Sequence, residues 1–406
     1  MADSGVLVLN AGSSSLKFAV FRIGEQADAD AALMRGQVAG IGSKPVFSAA
    51  VNGAQADSGP PPANLGEIAD HQQAISVALG WVDAHADGLD LIGVGHRVVH
   101  GGPDRRQPAL VTPRLLQELD ALSPLAPHHQ PHNLAAIRAV AESAPDLPQV
   151  ACFDTAFHAS QDPVARLLPL PRPLRDQGLQ RYGFHGLSYE FITAAVPAYN
   201  GGVLPGRLIV AHLGNGASLC AIHDGRSVAT SMGFSTLDGL LMGTRCGGID
   251  PGVLLHLMRE QGMDEAALSH LLYNESGLLG VSGISADMQV LLGSDEPAAA
   301  TAVDLFCYTL VRAVGSMAAA LGGVDAMVFT GGIGEHAAAV RDKVCAQLTW
   351  LGLDCDAAAN AAGGPLITTP NSHLKAWVIP TNEELIIARH AARLIRASVR
   401  QPVRAR

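Results

Sequence analysis

The chain has 406 residues, of which 48% are hydrophobic and 16% charged, and this predicts about two to three domains with large apolar cores. Its net charge is −10 and its lysines and arginines form no dense run, which argues against a nucleic-acid-binding surface, so no nucleic-acid partner is predicted. The six cysteines form no C-x-x-C pair, so neither a zinc knuckle nor a redox motif is predicted.

The first half of the chain alternates predicted strands and helices. A hairpin is predicted over residues 1–24, and the Gly-, Ala-, Asp- and Pro-rich stretch 24–66 looks irregular or edge-like. Apolar residues at helical spacing predict a helix over His71–Ala84. The next predicted elements are a strand at 91–95, helices near 113–122 and 133–143, and a strand at 149–153. We expect a domain boundary near residue 150, with the Pro-rich stretch 163–173 as a linker or surface loop.

The second half repeats this alternation. Its predicted elements are a strand at 207–212 with a return strand, helices at 251–261, 264–273 and 301–321, a strand at 376–379 and a last helix at 382–398. Asp250-Pro251 has the cap-then-proline order typical of a helix start. Strands that alternate with helices predict an α/β fold.

Three apolar runs each lead into a glycine-rich loop. The runs are Val6–Leu9, Leu208–Ala211 and Ala326–Phe329, and the loops are Asn10–Ser15, His212–Gly216 and Thr330–Gly334. This pattern predicts a buried strand that enters a tight turn, where backbone N–H groups can approach an anion. A single glycine-rich loop can occur at any sharp turn, but three in one chain indicate a nucleotide-binding site. Because neither a Walker-type loop nor a G-x-G-x-x-G fingerprint follows a strand, another nucleotide-binding fold is expected.

The first two loops resemble copies of one unit. Each returns as a second apolar stretch, at 16–21 and at 217–222, and they are about half the chain apart. The repeat favours a duplicated domain that opens with a β-hairpin. Two unrelated hairpins in an α/β protein remain the alternative.

Eight motifs in chain order resemble the acetate kinase family. They are Asn10–Lys17, His96–Gly102, Phe153–His158, Tyr182–Gly186, His212–Ser218, Met242–Gly247, Gly331–Glu335 and Pro380–Glu384. The resemblance covers nearly the whole chain, from residue 6 to about 390.

The resemblance implies both a fold and an activity. The implied fold is α/β, with duplicated ribonuclease-H-like domains of the actin, sugar-kinase and heat-shock-chaperone ATPase superfamily. The implied domains are 1–150 together with 382–406, and 151–381, the second of which carries much of the nucleotide site. The implied reaction is the reversible, Mg²⁺- and ATP-dependent phosphorylation of acetate to acetyl phosphate and ADP by direct in-line transfer.

Four residues match the catalytic positions of the family. Arg97 would hold the acyl carboxylate and Arg245 would stabilise the γ-phosphoryl group, because a guanidinium can bind two oxygens at once. His185 would donate a hydrogen bond to the moving phosphoryl group. Asp154 would orient an arginine, a magnesium-bound water or the acceptor, since a carboxylate acceptor is already ionised at pH 7 and needs no strong base.

The resemblance also implies a metal site and a phosphate contact. Asn10 and Glu383 match metal-associated positions, and magnesium prefers one or two carboxylates with phosphate oxygens and waters. Thr381 and Glu384 have capping-box spacing, which leaves Glu383 as the metal candidate. Lys17 lies on the return strand of the first hairpin, where we expect it to face the phosphates.

The expected nucleotide contacts lie in the second half of the chain. The phosphate contacts are His212, Leu213, Gly214, Asn215 and Gly216, and the contacts on the adenosine and α-phosphate side are Gly331, Gly332, Ile333, Gly334 and Glu335. Asp287 matches an adenosine contact, whereas Met288 and Gln289 stand where the family has Phe and Arg. His336 stands where Asn is usual.

The acyl pocket departs from the family pattern. Val99 matches one lining residue, but His128 and Thr236 stand where Leu and Pro are usual, which makes the pocket more polar. Leu187 and Tyr189 also replace the usual Thr and His. Because one methylene is worth only about 1–3 kcal/mol of discrimination, a propionate or butyrate kinase remains an alternative.

Two further alternatives are an acceptor-independent ATPase on the same fold and a nucleotide-binding homologue that has lost activity. The expected partners are ATP or ADP and a short-chain carboxylate, and the family resemblance implies a homodimer. The first residues lack a basic region followed by an apolar core, and no uncharged apolar stretch has the length of a membrane span. We therefore expect a cytoplasmic protein with no membrane partner.

Overall fold

The computed structural model describes residues 3–12, 15–24, 29–59, 68–86 and 88–400. Ser13 and Ser14 of the first glycine-rich loop lie outside the described residues. The chain divides into two compact units, Met1–Ala156 with Asn382–Arg406, and Phe157–Thr381. The first unit therefore extends past the boundary expected near residue 150, because the strand that begins at Gln149 pairs within its sheet.

The described residues form two β-sheets. The strands are β1 (Asp3–Ala11), β2 (Ser15–Ile23), β3 (Ala29–Ala39), β4 (Val46–Val51), β5 (Ala54–Gly59), β6 (Leu89–Val98), β7 (Ala109–Leu110), β8 (Gln149–Phe153), β9 (Arg207–Leu213), β10 (Ala217–His223), β11 (Arg226–Thr230), β12 (Ala326–Thr330) and β13 (Lys375–Val378).

Helices connect and cover these strands. They are α1 (His71–His85), α2 (Pro113–Asp120), α3 (Gln130–Ser143), α4 (Pro163–Arg166), α5 (Arg172–Arg175), α6 (Gly186–Tyr199), α7 (Pro251–Glu260), α8 (Glu265–His270), α9 (Gly277–Ser282), α10 (Met288–Leu292), α11 (Pro297–Leu321), α12 (Gly331–His336), α13 (Ala338–Ala346), α14 (Ala357–Ala361) and α15 (Glu383–Arg400).

The first sheet has the strand order β5-β4-β3-β2-β1-β6-β8-β7. As predicted, β1 and β2 form an antiparallel hairpin, and β1, β6 and β8 are parallel neighbours. Of the two alternatives for 24–66, irregular or edge-like, the described part supports the second, since β3, β4 and β5 form one edge of the sheet. Small residues obscured the alternation, but Met34, Val38 and Phe47 point into the core.

Both faces of the first sheet are covered. On one face α1 and α3 pack against the strands in an apolar cluster that includes Phe18, Phe47 and Trp81. Helix α15 packs against β1, β6 and β8. A Cβ at Gly95 would lie 2.5 Å from Cγ2 of Ile387, so the glycine allows α15 to approach the sheet closely. This packing brings the start of α15 to the ends of β1 and β6.

The second sheet repeats the central topology of the first. Its order is β11-β10-β9-β12-β13, with an antiparallel hairpin of β9 and β10 followed by the parallel strands β12 and β13. The first sheet contains the same order as β3-β2-β1-β6-β8. The α/β fold of duplicated ribonuclease-H-like units is therefore confirmed.

Helices of the second unit bury apolar faces on this sheet. Tyr189, Ile192 and Val196 of α6 pack against Leu208 and Val210. Among the described helices, α11 is long and apolar enough to cross a membrane by length and composition. It packs against β10 and α9, so we interpret it as a core helix.

Candidate active site

Arg97, which is half-buried, and Asp154, which is buried, form an ion pair at the ends of neighbouring parallel strands of the first unit. Arg97 lies near the end of β6, and Asp154 directly follows β8, its N–H bonded to the Val98 carbonyl at 3.1 Å. The guanidinium donates from Nε to Oδ1 of Asp154 at 3.0 Å and from Nη2 to Oδ2 at 2.6 Å. Both carboxylate oxygens thus hold one edge of Arg97 in a fixed orientation.

The electrostatics keep Arg97 charged. Burial lowers the pKa of Arg97, but the charges of Asp154 and Glu383 and the hydrogen bonds to Asp154 together raise it above its ordinary value. The Arg97 side chain remains 23% exposed, whereas that of Asp154 is 1% exposed. Among the three roles expected for Asp154, this geometry favours the orientation of an arginine.

Asn10 and Glu383 bring two further oxygen-bearing side chains to Arg97. Oδ1 of Asn10, near the end of β1, accepts from Nη1 of Arg97 at 3.4 Å. Oε2 of Glu383, the first residue of α15, lies 3.8 Å from Nε. Among the described residues, no group of three or more His, Cys, Asp and Glu side chains is placed to hold a metal ion. One carboxylate and one amide oxygen suit magnesium, which keeps several waters and phosphate oxygens as ligands.

The predicted capping box at the start of α15 is wrong. Asn382 caps the helix, since its Oδ1 accepts from the N–H of Leu385 at 3.1 Å. Glu384 instead lies 3.9 Å from Arg35 and lines a groove with Arg35 and Lys17. Burial raises the pKa of Glu384, and the charges of Arg35 and Lys17 lower it in part. Lys17 is thus placed beside a carboxylate of the first unit, and its phosphate contact stays a prediction.

The three expected acyl-pocket residues have different surroundings. Val99 is buried, and its N–H donates to Oδ1 of Asn133 at 2.9 Å, while the Asn133 amide donates to the Ala11 carbonyl at 2.7 Å. Asn133, which sequence reasoning missed, thereby ties Val99 to the first glycine-rich loop. His128 is exposed in the first unit. Thr236 belongs to the second unit.

In the second unit, His185 and Arg245 face the same space beside Gly216. A Cβ at Gly216 would lie 3.5 Å from Nε2 of His185 and 3.4 Å from Nη2 of Arg245. Nη1 of Arg245 donates to the Thr236 carbonyl at 2.9 Å. His185 directly precedes α6 with a φ of 58°, a left-handed conformation that side-chain-bearing residues adopt rarely. Because Gly216 has no side chain, this space is open, and an anion there can approach both the Arg245 guanidinium and Nε2 of His185.

His212 lies against His185 rather than in the open loop. The two rings stack with centroids 4.3 Å apart. Nδ1 of His212 is 2.9 Å from Oγ of Ser188, which is 2.9 Å from Oγ1 of Thr381. The predicted phosphate contact at His212 therefore has competing structural partners. Ser188 had no individual signal in the sequence, and Thr381 was singled out only for its capping-box spacing.

Glu335 holds the third loop together. Its Oε1 accepts from the N–H of Gly331 at 2.9 Å and from the N–H of Thr381 at 3.2 Å. Gly331 has a φ of +77°, and a Cβ there would lie 2.8 Å from the Leu213 carbonyl oxygen. Because Glu335 occupies the Gly331 N–H, the geometry favours a loop-fixing role for both residues over the predicted nucleotide contact.

A cavity of about 720 Å³ lies next to these loops in the second unit. Its lining is Gly214, Asn215, Ala286, Asp287, Met288, Gln289, Leu292, Gly332, Ile333, His336 and Ala337. Seven predicted nucleotide contacts therefore share one cavity, whereas Lys17, His212, Leu213, Gly216, Gly331, Gly334 and Glu335 are outside its lining. Sequence reasoning missed Leu292, although it lies four residues after Met288 on α10, the spacing of one helical face.

Asp287 has a structural task at this cavity. Its Oδ1 accepts from the N–H of Gln289 at 2.7 Å and caps α10. Met288 is buried and Gln289 exposed. The carboxylate of Asp287 is exposed enough to keep its second oxygen for a ligand.

The similarity of the chain to a known protein family can now be set beside the positions of these side chains. The model of the Acetokinase family matches residues 5–389. The chain belongs to the acetokinase family. It is therefore a kinase that transfers a phosphoryl group to a carboxyl acceptor, and the resemblance read from the eight motifs is confirmed.

Sequence and structural similarity to other proteins extends over almost the whole length of this chain. Acetate kinase from Rhodopseudomonas palustris is 51% identical over 96% of this chain and 98% of its own. Among solved structures, a propionate kinase from Francisella tularensis has a TM-score of 0.87 at 33% identity, covering 95% of this chain and 98% of its own. Acetate kinase from Porphyromonas gingivalis has a TM-score of 0.85 at 33% identity, covering 96% and 99%.

Proposed function

We propose that this acetokinase is an acetate kinase that transfers the γ-phosphoryl group of ATP to acetate. The observation that carries the proposal is the convergence of His185 Nε2 and the Arg245 guanidinium beside Gly216, next to a cavity large enough for a nucleoside. Transfer of a phosphoryl group is catalysed mainly by positioning and charge stabilisation. A guanidinium and an imidazole that face one open space supply both.

On the acceptor side, Arg97 would bind the acetate carboxylate. Asp154 occupies one edge of its guanidinium, so the remaining Nη donors are oriented before the substrate arrives. Such preorganisation lowers the entropy cost of bringing the two reactants together. Val99 supplies an apolar neighbour for the methyl group.

The reaction needs no general base. An ionised carboxylate oxygen of acetate attacks the γ-phosphorus, the bond from that phosphorus to the β-phosphate oxygen breaks, and ADP leaves with the electron pair. Arg245 and His185 would stabilise the charge on the equatorial oxygens during transfer. Asn10 and Glu383 would hold Mg²⁺, which supplies charge neutralisation at the phosphates when it is bound.

The cavity of the second unit would hold the nucleoside of ATP. Met288, Leu292 and Ile333 give it apolar walls, and Gln289, His336 and Asp287 give it polar groups. Sites for nucleosides combine a mostly apolar lining with a few polar groups that fix orientation. Gly214 and Asn215 at one end lie on the loop that continues to Gly216, so the phosphates would extend towards His185 and Arg245.

A propionate kinase is the second candidate. A solved propionate kinase has a TM-score of 0.87 to this chain, and the exposed His128 stands where an apolar lining residue is expected. The two acids differ by one methylene, so discrimination between them is expected to be about 10–200-fold.

We also propose a homodimer in the cytoplasm. Helix α7 carries an apolar face with no buried residue in the monomer, and Leu255 and Met258 are 58% and 49% exposed. A second copy of the chain would cover this face. The six cysteines are free thiols, as is usual in a reducing compartment. Sedimentation measurements on the chain and on a Leu255→Glu, Met258→Glu variant test the dimer, which the variant is expected to dissociate.

Hydroxylamine trapping of acyl phosphate tests the proposed reaction. The chain, Mg-ATP and each of acetate, propionate and butyrate are compared with a sample that lacks acceptor. Signal is expected with acetate, weaker signal with propionate, and none without acceptor. Arg97→Ala and Arg245→Ala should reduce it strongly at low acetate concentration, while Arg226→Ala, at an exposed position on β11, should leave it unchanged. ATP turnover at the same rate with and without acceptor would contradict the proposal and favour an ATPase.

A further inference from the structure

A buried hydrogen-bond chain lies behind His185. The nitrogen Nδ1, opposite the Nε2 atom that faces Gly216, lies 2.8 Å from Oγ of Ser218. Oγ of Ser218 is in turn hydrogen-bonded to the hydroxyl of Tyr189. Ser218 and Tyr189 are both completely buried. The chain therefore connects one nitrogen of the imidazole to two hydroxyl groups that lie away from the expected phosphoryl space.

The fold fixes the members of this chain relative to one another. Tyr189 lies four residues after His185, which places both on one side of the first turn of α6. Ser218 lies on β10 directly opposite His212 in the sheet register, and the His212 ring stacks on His185. The Tyr189 ring packs edge-on against His158. Packing thus limits the movement of each hydroxyl and of the imidazole.

The chemistry of the three groups couples their protons. A neutral imidazole carries one N–H, and the hydrogen bond made by one nitrogen determines which nitrogen is protonated. A serine hydroxyl can accept one hydrogen bond and donate another, and a tyrosine hydroxyl keeps its proton up to a pKa of about 10. If Tyr189 donates to Ser218 and Ser218 donates to Nδ1, the single ring proton is on Nε2.

We propose that Ser218 and Tyr189 are positioning residues that hold the proton of neutral His185 on Nε2. This atom faces the same space as the Arg245 guanidinium, so the tautomer makes His185 a hydrogen-bond donor to a phosphoryl oxygen. The role as donor rests on the proposed function, whereas the tautomer is a property of the protein alone. Because both residues are completely buried, they would act through His185 and not on the substrate.

The identity of residue 189 gives this device a pH signature. In this chain it is Tyr189. A phenol does not change its charge between pH 5 and 8, whereas an unperturbed imidazole titrates near pH 6.5. Tyr189→His is therefore expected to place a second titratable imidazole on this hydrogen-bond chain and so to change the pH profile of kcat.

Nitrogen NMR of the substrate-free enzyme tests the tautomer directly. The full chain is labelled with ¹⁵N-histidine, and the His185 signals are identified by their loss in His185→Asn. We expect a protonated Nε2 and an unprotonated, hydrogen-bonded Nδ1. Ser218→Ala is expected to populate both tautomers, and Ser218→Thr, which keeps a hydroxyl, to retain the Nε2 form. Tyr182→Phe, which removes a hydroxyl bonded to the Gly178 carbonyl instead, serves as the matched control and should leave the His185 signals unchanged.

Kinetics on the same variants test the consequence for catalysis. Removal of a direct transition-state donor costs about 10²–10³-fold in kcat, so partial loss of the correct tautomer should cost about tenfold in Ser218→Ala. Tyr189→Phe should lose less, and KM for ATP should stay within about twofold in both. Ser218→Thr should recover most of kcat.

A His185 protonated on Nδ1 in the natural chain would overturn the proposal. So would an unchanged tautomer and kcat in both Ser218→Ala and Tyr189→Phe. Because the NMR experiment needs no turnover, absence of acyl phosphate together with a tautomer change in Ser218→Ala would refute the proposed function and leave the proton arrangement standing. A variant that fails to fold would be identified by its lost methyl spectrum, and the Ser218→Thr and Tyr189→His variants then carry the test.

Discussion

The two units share one strand order but use its strand ends differently. In the first unit the ends of β1, β6 and β8 carry Asn10, Arg97 and Asp154, and the chemistry lies in charged and polar side chains. The first unit has one of the three glycine-rich loops, after β1, whereas in the second unit β9 and β12 both enter one, and the space beside Gly216 is open to His185 and Arg245. A carboxylate acceptor is recognised by a fixed guanidinium, whereas a nucleotide needs close backbone approach. We therefore propose that one topology serves two substrates because the residues at its strand ends differ.

The largest expected effect comes from removal of the guanidinium in the second unit. Arg245→Ala should lower kcat about 10³-fold or more, the range found when an arginine is withdrawn from a transferring phosphoryl group. ADP affinity should change far less, because the cavity that would hold the nucleoside does not include Arg245. Steady-state kinetics and calorimetric titration with ADP check this. Equal losses of kcat and of ADP affinity would contradict the separation between the phosphoryl space and the cavity.

In the first unit, Asp154→Asn tests whether the carboxylate acts by orienting Arg97. An amide keeps the shape but loses the charge and one acceptor, so Arg97 would lose its two-point attachment. We expect kcat/KM for acetate to fall about 10²-fold, a loss of transition-state stabilisation, with little change in KM for ATP. A variant with full activity would show that the ion pair is dispensable.

Each unit contains a buried histidine with a lowered pKa, so the pH dependence of stability can be compared between the two units. Burial lowers the pKa of His96 in the first unit to about 4, and the hydrogen bond that His96 Nε2 donates to Oε1 of Gln149 raises it in part. Burial likewise lowers the pKa of His158 in the second unit to about 4. Since each folded-state pKa lies below the unfolded value of about 6.5, stability is full above pH 6.5 and is lost progressively towards pH 4.

For each of these histidines, a fall from pH 7 to pH 5 should lower the free energy of unfolding by about 2 kcal/mol, because the imidazole is protonated more readily in the unfolded state. Urea unfolding at both pH values measures the loss, and His158→Gln should reduce it. A stability that is flat between pH 7 and pH 5 would be inconsistent with neutral, buried imidazoles.

The smallest expected effect concerns the third loop. Glu335→Ala removes the acceptor shared by the Gly331 and Thr381 N–H groups, which should cost about 1–3 kcal/mol of stability. ADP affinity should weaken only a few-fold through the displaced loop, measured by calorimetry. If Glu335 contacts the nucleotide directly, the loss of ADP affinity would greatly exceed the loss of stability.

The sequence predicted the parts of the molecule that depend on local patterns. The hairpins of both units and the helices α1 and α7 follow from apolar spacing and helix-start signals. The catalytic roles of Arg97, Asp154, His185 and Arg245, which rest on the motif resemblance, stay predictions. The strands β3 to β5 were missed because Gly and Ala mask alternation. Ser218, Ser188 and Asn133 were missed because their importance comes from partners distant in the chain, which no local pattern reveals.

Dependence on partners that are distant in the chain also explains why the role of a residue was harder to predict than its presence in a motif. Glu335 and Asp287 match nucleotide-binding positions, yet the structure shows that each also holds its own backbone in place. Glu384 has the spacing of a capping box, but Asn382 is the better-placed cap. Spacing along the chain specifies which groups are available, and only the folded arrangement determines which of them are already occupied.

The most direct test of the division between the units is two-substrate kinetics on Arg97→Ala with ADP calorimetry on the same preparation. If the first unit recognises the carboxylate and the second the nucleotide, KM for acetate should rise at least about tenfold, a loss of about 1.4 kcal/mol of binding free energy, while ADP affinity stays within twofold. A parallel loss of ADP affinity, or an unchanged KM for acetate, would contradict that division.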